Sequence, residues 1–194
     1  MTLEKELNGE VQVLSGPESF NVIPLMEPAL EPKPSSEIAA FKREIDEVNQ
    51  AISAASGRLN HLKQMSTAYE TAYNRADNTS PELYQKIKNV QAELNSLTLK
   101  MEGNPAKEEI GERNNPTMRS RIRNAFRGLS SSYGPTKTAY DNLEIAKQEY
   151  EAVRQTLNEM HDDRMPSIEN ELVRLGIPYI EGQSLPKLDV DNRN

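Results

Sequence analysis

Two long stretches of this sequence carry apolar residues at strictly alternating steps of three and four positions. The first stretch contains Ile38, Phe41, Ile45, Val48, Ile52, Ala55, Leu59 and Leu62, and continues through Ser66, Tyr69 and Tyr73. The second stretch contains Ala139, Leu143, Ala146, Tyr150, Val153, Leu157 and Met160. This spacing places one narrow apolar stripe along a long helix, as in a coiled coil or a helical bundle. The chain is therefore expected to be all-α over most of its length.

Capping and breaking signals divide the helical part into four helices. The expected helices are 35–76, 81–103, 116–129 and 136–175. Ser80 before Pro81 is a strong start signal, and Gly176 followed by Pro178 is a strong stop signal. The loop 104–115 is rich in helix breakers and is expected to be non-helical. Pro166 lies inside the fourth helix and is expected to kink it near Asp162.

The helix lengths suggest how the helices pack. At 1.5 Å per residue, the first and fourth helices are each ~60 Å long, and the second and third together match them. The simplest arrangement is an elongated antiparallel three-helix bundle whose middle arm is broken at 103–115. A compact four-helix bundle is the alternative, but it would leave the ends of the two long helices half uncovered.

Residues 1–34 differ from the helical part. Val11 and Val13 alternate with polar residues, a turn follows at 15–17, and Phe20 and Val22 resume the alternation, which predicts a short β-hairpin or two isolated strands. Because a lone hairpin is marginal in water, this segment is interpreted as the remnant of an upstream β-domain. The predicted domains are therefore these strands with a Pro-rich linker (1–34), the helical bundle (35–177) and a C-terminal tail (178–194).

Composition excludes several classes of function. The net charge of −7 argues against a nucleic-acid module. No apolar run approaches the ~20 residues of a transmembrane helix, and the N-terminal residues lack the pattern of a signal peptide. The chain has no Cys and two His, His61 and His161, without metal-ligand spacing, so no metal and no cofactor is expected. No catalytic motif occurs, and no catalytic residue is assigned.

A basic group stands out in this acidic chain. It consists of Arg113, Arg119, Arg121, Arg123 and Arg127. Arg119, Arg123 and Arg127 are spaced i, i+4, i+8 and so share one helix face. One interpretation is charge complementarity with the acidic fourth helix, which would fix which helices pack together. The other is a binding site for an anion or an acidic partner, for which Arg113, Arg119, Arg123 and Tyr133 are the candidate ligand-binding residues.

The region from Met101 to Leu188 carries three distinctive segments. They are the loop with Arg113-Asn114 and Pro116, the helix start Gly134-Pro135-Thr136, and the ending Gly176-Ile177-Pro178-Tyr179. Here the chain resembles the C-terminal helical region of bacterial extracytoplasmic proteins with a sortilin-like, Asp-box (BNR) β-propeller, often labelled glycosyl hydrolases. The resemblance implies an extracytoplasmic (periplasmic or secreted) location and an upstream or separate β-propeller or β-sandwich domain as partner. The chain contains no Asp-box and no Trp, so the resemblance transfers no catalytic residue.

Three hypotheses for function follow. The first is a non-catalytic structural or interaction module, the helical C-terminal region of a larger propeller-type protein, which could also contact other proteins. The second is an accessory module that binds an anion or a glycan near the broken middle arm. The third is a cytoplasmic coiled-coil scaffold, which would need apolar seams left open for a partner chain.

Overall fold

In the computed structural model the chain forms two compact units, which begin at Met1 and at Lys33. The structure describes residues 1–23 and 30–177. The first unit is a β-hairpin and the second is a helical bundle, which confirms the prediction of a mostly helical bundle preceded by a short hairpin. The predictions for the middle of the linker and for the C-terminal tail lie outside the described residues.

The hairpin lies closer to the N-terminus than the sequence pattern predicted. Strands β1 (Leu3–Leu7) and β2 (Glu10–Ser15) pair antiparallel, with Leu7 opposite Glu10 and Glu4 opposite Val13. The turn is Asn8-Gly9, and both residues have positive φ, at 56° and 82°. Such a turn matches the twist of the two strands it joins. The predicted strand around Phe20 and Val22 is wrong, because these residues lie outside any strand.

The bundle is built from helices whose ends follow the expected capping signals. These are α1 (Ser35–Asn74), α2 (Pro81–Glu102), α3 (Pro105–Glu109), α4 (Met118–Arg127), α5 (Lys137–Glu159) and α6 (Met165–Arg174). The hydroxyls of Ser80, Thr117 and Thr136 cap α2, α4 and α5 by accepting backbone N–H groups. The short helix α3 lies in the loop predicted to be non-helical, and Asn104 caps it. A Pro at the first helical position suits its start.

The helices form three arms that run up, down and up. The first arm is α1, the middle arm is α2 with α4, and the third arm is α5 with α6. Side chains on α1 and the third arm pair in the same order along both, namely Glu37 with Tyr140, Glu44 with Lys147, Arg58 with Asn158 and Tyr69 with Glu169. On α1 and the middle arm they pair in the opposite order, namely Glu70 with Lys88, Lys63 with Thr98 and Ser56 with Arg119. The middle arm is therefore antiparallel to the other two.

The core is the seam where the three arms meet. Ile52 and Leu59 on α1 are fully buried, as are Leu94 on α2 and Leu172 on α6. The buried residues of α2 are Leu83, Ile87, Val90, Leu94, Leu97 and Met101. They repeat the alternating steps of four and three that the sequence predicted for this helix. Among the described residues, every buried apolar side chain belongs to one continuous cluster in the helical unit.

Pro166 changes the third arm in a way that the sequence only partly predicted. Instead of a simple kink, residues Met160–Arg164 form a π-helical turn between α5 and α6. The N–H of Met165 donates to the carbonyl of Met160, five residues back. Because Pro166 has no N–H to donate to Asp162, the wider turn accommodates the proline within a continuous helical arm.

A polar cluster ties the start of α1 to the turn before α5. The backbone N–H of Lys33 donates to the carbonyl of Tyr133 at 2.9 Å, and the Tyr140 hydroxyl donates to Glu37 at 2.8 Å. The rings of Tyr140 and Phe41 lie 4.4 Å apart between centroids. The hydrogen bond from Lys33, and to a smaller extent the one from Tyr140, lowers the pKa of Glu37. Gly134 is required here, because its φ is +100° and a Cβ would lie 3.1 Å from the Lys33 side chain.

We expect Leu59→Ala to reduce the free energy of unfolding by about 2–4 kcal/mol, because Leu59 is fully buried in the seam. Glu47→Ala, at an exposed position of the same helix, is the matched control and should change it by less than about 0.5 kcal/mol. Urea denaturation followed by circular dichroism gives both values. Similar losses for the two variants would contradict the packing of the first arm.

Candidate functional site

Helix α4 presents two different faces. Its buried face consists of Met118, Ile122 and Ala125, which pack into the seam. A second face carries Arg119, Arg123 and Arg127, one helical turn apart. Because the buried face fixes the rotation of α4, the positions of these three arginines are determined by the packing of the bundle rather than by a loop.

These arginines line a groove between α4 and α1. The arginine groove is formed by Arg119, Ile122, Arg123, Phe126 and Arg127 from α4 together with Ile45, Asp46 and Asn49 from α1. Its volume is ≈ 570 Å³, and it is open to solvent along one side. The Nη2 of Arg119 donates to the Ser56 hydroxyl at 3.1 Å, which anchors the end of the groove nearest the break in the middle arm.

The charge of the arginine groove is poorly compensated within residues 1–23 and 30–177. Ion pairs join α1 to α2, α1 to α5 and α2 to α6, through Lys88–Glu70, Lys147–Glu44 and Lys86–Glu171. In contrast, no carboxylate of the described residues lies within 4.0 Å of the guanidinium of Arg119, Arg123 or Arg127. Asp46 lies in the groove but forms no ion pair with these arginines. The groove therefore has unsatisfied capacity to bind negative charge.

Arg121 shows what a compensated arginine looks like in the same helix. Its Nε donates to both carboxylate oxygens of Glu149 on α5, at 3.0 and 3.2 Å. The interpretation that the arginines are matched to the acidic last helix therefore describes Arg121. It does not describe Arg119, Arg123 and Arg127, which lie against α1.

The four candidate residues named from the sequence do not all come together. Arg119 and Arg123 line the arginine groove. Arg113 is exposed in the segment between α3 and α4, and Tyr133 is half-buried in the turn before α5; neither lines the groove. Of the remaining groove residues, Arg127 had a sequence signal in its i, i+8 spacing from Arg119. Asp46 and Asn49 had none, because charged and polar residues occur along the whole exposed face of α1.

The break in the middle arm is ordered by one side chain. The Asn114 amide accepts from the N–H of Asn104 at 3.0 Å and donates to the carbonyl of Asn104 at 3.1 Å. It also donates to Glu108 of α3 at 3.0 Å. Gly103, with φ +91°, lets the chain pass this amide, because a Cβ there would lie 3.3 Å from it. The loop is thus a defined connection between α2 and α4.

A second pocket lies at this junction, on the side of the third arm. Residues from α2, from the start of α4 and from α5 line it, including Leu97, Lys100, Thr117, Glu149 and Val153. Its volume is ≈ 510 Å³. The lining mixes apolar side chains with hydroxyls and one charge of each sign, so it shows no preference for an anion.

Metal and membrane features were also sought among the described residues. Within 1–23 and 30–177, no three His, Asp or Glu side chains lie close enough together to hold a metal ion. His161, which the sequence places beside Asp162 and Asp163, is exposed in the π-helical turn. No helix in the same residues is long and apolar enough to cross a membrane.

Comparison with protein-family models, curated proteins and solved structures finds no significant match to this chain. The resemblance to the helical region of propeller proteins therefore stays a prediction from the sequence. What the chain can bind has to be inferred from its own surfaces.

We expect Asn114→Ala to reduce the free energy of unfolding by about 0.5–1.5 kcal/mol, because it leaves the N–H of Asn104 without a partner, while the carbonyl of Asn104 still accepts from Lys107. The amide of Asn104 should also exchange faster with solvent, which hydrogen-exchange NMR would detect. Asn115→Ala is the control, since Asn115 is exposed and makes no side-chain hydrogen bond within the described residues. Equal effects of the two substitutions would argue against the role of Asn114.

Proposed function

We propose that this protein is a non-catalytic structural and interaction module, the helical C-terminal region of a larger propeller-type extracytoplasmic protein. In this proposal the hairpin contacts a β-propeller or β-sandwich domain, and the bundle is a separate helical unit of the same protein. The observation that carries the proposal is the exposure of the hairpin, in which every residue of both strands is exposed to solvent.

The hairpin has apolar side chains but buries none of them. Val11 and Val13 remain 61% and 57% exposed, and Leu3, Leu7 and Leu14 are exposed to a similar extent. Val11 and Val13 share one face, and Leu14 lies at the register shift between Leu3 and Glu4. Every residue of both strands is exposed, and neither strand pairs with a further strand among the described residues. A two-stranded hairpin of this kind is marginal alone and gains stability when it joins a larger sheet.

The bundle supports a structural role in a different way. The stripes of all three arms are buried against one another, and within the described residues no buried side-chain nitrogen or oxygen lacks a hydrogen-bond partner. A scaffold that dimerised through a coiled coil would instead leave a seam open for its partner. The closed seam favours the interaction module over the cytoplasmic coiled-coil scaffold.

The second candidate function, binding of an anion or a glycan, is favoured by the arginine groove. The groove supports this function only through its positive charge. No feature of the groove selects a sugar, since Phe126 is its one aromatic side chain and Tyr133 lies elsewhere.

Removal of residues 1–31 tests whether the hairpin stabilises the bundle. We expect the free energy of unfolding of the helices to change by less than about 1 kcal/mol, because every buried residue of the described chain lies in the helical unit. Pro32 and Lys33 are kept, since Lys33 bonds to Tyr133 and Glu37. A large loss of helical stability would show that the hairpin belongs to the bundle's own core.

The proposal first predicts where the β-domain is encoded. The coding sequence next to that of this chain should encode Asp-box propeller repeats or a β-sandwich, in frame or in a neighbouring gene.

The contact of the hairpin with that domain is tested by hydrogen exchange. When that domain is present, the amides of the hairpin should become strongly protected, and Val11→Lys with Val13→Lys should abolish the protection. Lys5→Gln with Gln12→Lys exchanges a cross-strand pair on the opposite face without changing the net charge, and as the matched control it should leave the protection unchanged. Unchanged exchange on addition of the domain would contradict the proposal.

A further inference from the structure

We propose that the arginine groove binds an acidic peptide segment in extended conformation, with carboxylates at alternate positions. This interaction surface is separate from the hairpin, so it does not depend on the function proposed above. The groove lies between α1 and α4, and its charge is supplied by Arg119, Arg123 and Arg127.

The first argument is that the charges of Arg119 and Arg123 are not matched by α4 itself, whereas Arg127 lies in the last turn, where the helix dipole favours it. Arg119 lies in the first turn of a helix whose first turn has no acidic residue, where the helix dipole disfavours a positive charge. Arg123 and Arg127 follow at steps of four, so neighbouring like charges repel along the helix. No described carboxylate relieves this repulsion by an ion pair. A local arrangement that works against folding, without compensation among the residues that the structure describes, is typical of a functional surface.

The second argument is the spacing of the charges. Residues four apart on a helix are separated by ~6 Å along the axis, so Arg119 and Arg127 are ~12 Å apart. The three positions therefore form a row along the helix rather than a ring around one point, and a row suits several anionic groups in succession better than a single ion. Alternate residues of an extended strand project to the same side and are ~6.8 Å apart. Three carboxylates at alternate positions of an extended peptide therefore match the three arginines nearly one to one.

The third argument comes from the other residues of the groove. Ile45 and Ile122 form an apolar floor, and Phe126 is 51% exposed beside it. In an extended peptide the residues between the carboxylates project away from the groove, so the methylene groups of the acidic side chains themselves are what packs on this surface. Asn49 offers an amide group for hydrogen bonds to a peptide backbone. Asp46 disfavours a uniformly anionic polymer, and the net charge of −7 does so further, which argues against nucleic acid.

The test uses a labelled seven-residue peptide of alternating Asp and Leu with blocked ends, and the same peptide with Asn in place of Asp. Fluorescence anisotropy with the full chain at low ionic strength measures the affinity of each. We expect the Asp peptide to bind and the Asn peptide not to bind. Combining Arg123→Gln with Arg127→Gln should weaken binding about five- to twenty-fold, since each removes one charged contact. Arg113→Gln, an exposed arginine outside the groove, should change it less than twofold.

A second pair of variants predicts a change in the opposite direction. Asp46→Asn removes a carboxylate from the groove and should strengthen binding about two- to fivefold. Glu47→Gln makes the same change of net charge at the adjacent exposed position, outside the groove, and should leave the affinity unchanged. This pair decides the question even if the double arginine variant fails to fold.

Three results would overturn the proposal. One is equal binding of the Asp and Asn peptides. Another is a set of affinities that follows net charge alone, with Glu47→Gln as effective as Asp46→Asn. The last is complete displacement of the peptide by inorganic phosphate at a concentration at which sodium chloride displaces none. That result would assign the groove to a free anion. None of these results bears on the hairpin, whose contact is tested by hydrogen exchange.

Discussion

The rest of the structure depends on the burial of the α1 stripe by both other arms. Ile52 and Leu59 are fully excluded from solvent, although α1 runs through forty residues with an exposed, charged outer face. No single neighbouring helix could cover this stripe from both sides. The antiparallel middle arm and the parallel third arm together cover the stripe. The contact with the α1 stripe also sets the register of each of these two arms. The bundle is consequently one cooperative core rather than a set of paired helices.

Interruptions in the other two arms are arranged so that this seam stays closed. In the middle arm, Asn114 binds the backbone of Asn104 and lets Met101 and Met118 both point into the core. In the third arm, the π-helical turn places Met160 and Met165 in the core on either side of the missing hydrogen bond of Pro166. In both places a flexible methionine fills the space beside the irregular backbone, as an unbranched side chain can.

The sequence predicted the helices and the arms well because the heptad spacing and the caps act locally. The break in the middle arm is instructive, since Met101 and Met118 are seventeen residues apart and keep the alternating steps of three and four in phase. The positions between them that share this phase are Asn104, Glu108, Gly111 and Asn115, none of which is apolar, so the loss of the stripe marks the break together with Pro105 and Pro116. The position of the hairpin was predicted wrongly because the prediction followed the alternating valines. The Asn8-Gly9 sequence, which is a strong signal for a hairpin turn, indicates the observed position. The pairing of Arg119 with Ser56, sixty-three residues apart, depends on tertiary packing that no local pattern contains.

The difference between local patterns and tertiary packing also explains why the sequence predicted only part of the arginine groove. Helix α4 is short and carries positive charge near its N-terminus, so it would be a poor helix on its own. Met118, Ile122 and Ala125 hold it against the seam, and Arg121 contributes an ion pair to α5. Packing thus stabilises a helix that the positive charge near its N-terminus destabilises. The three arginines of the groove form no ion pair with the described carboxylates, and they remain available on a surface whose position the seam determines.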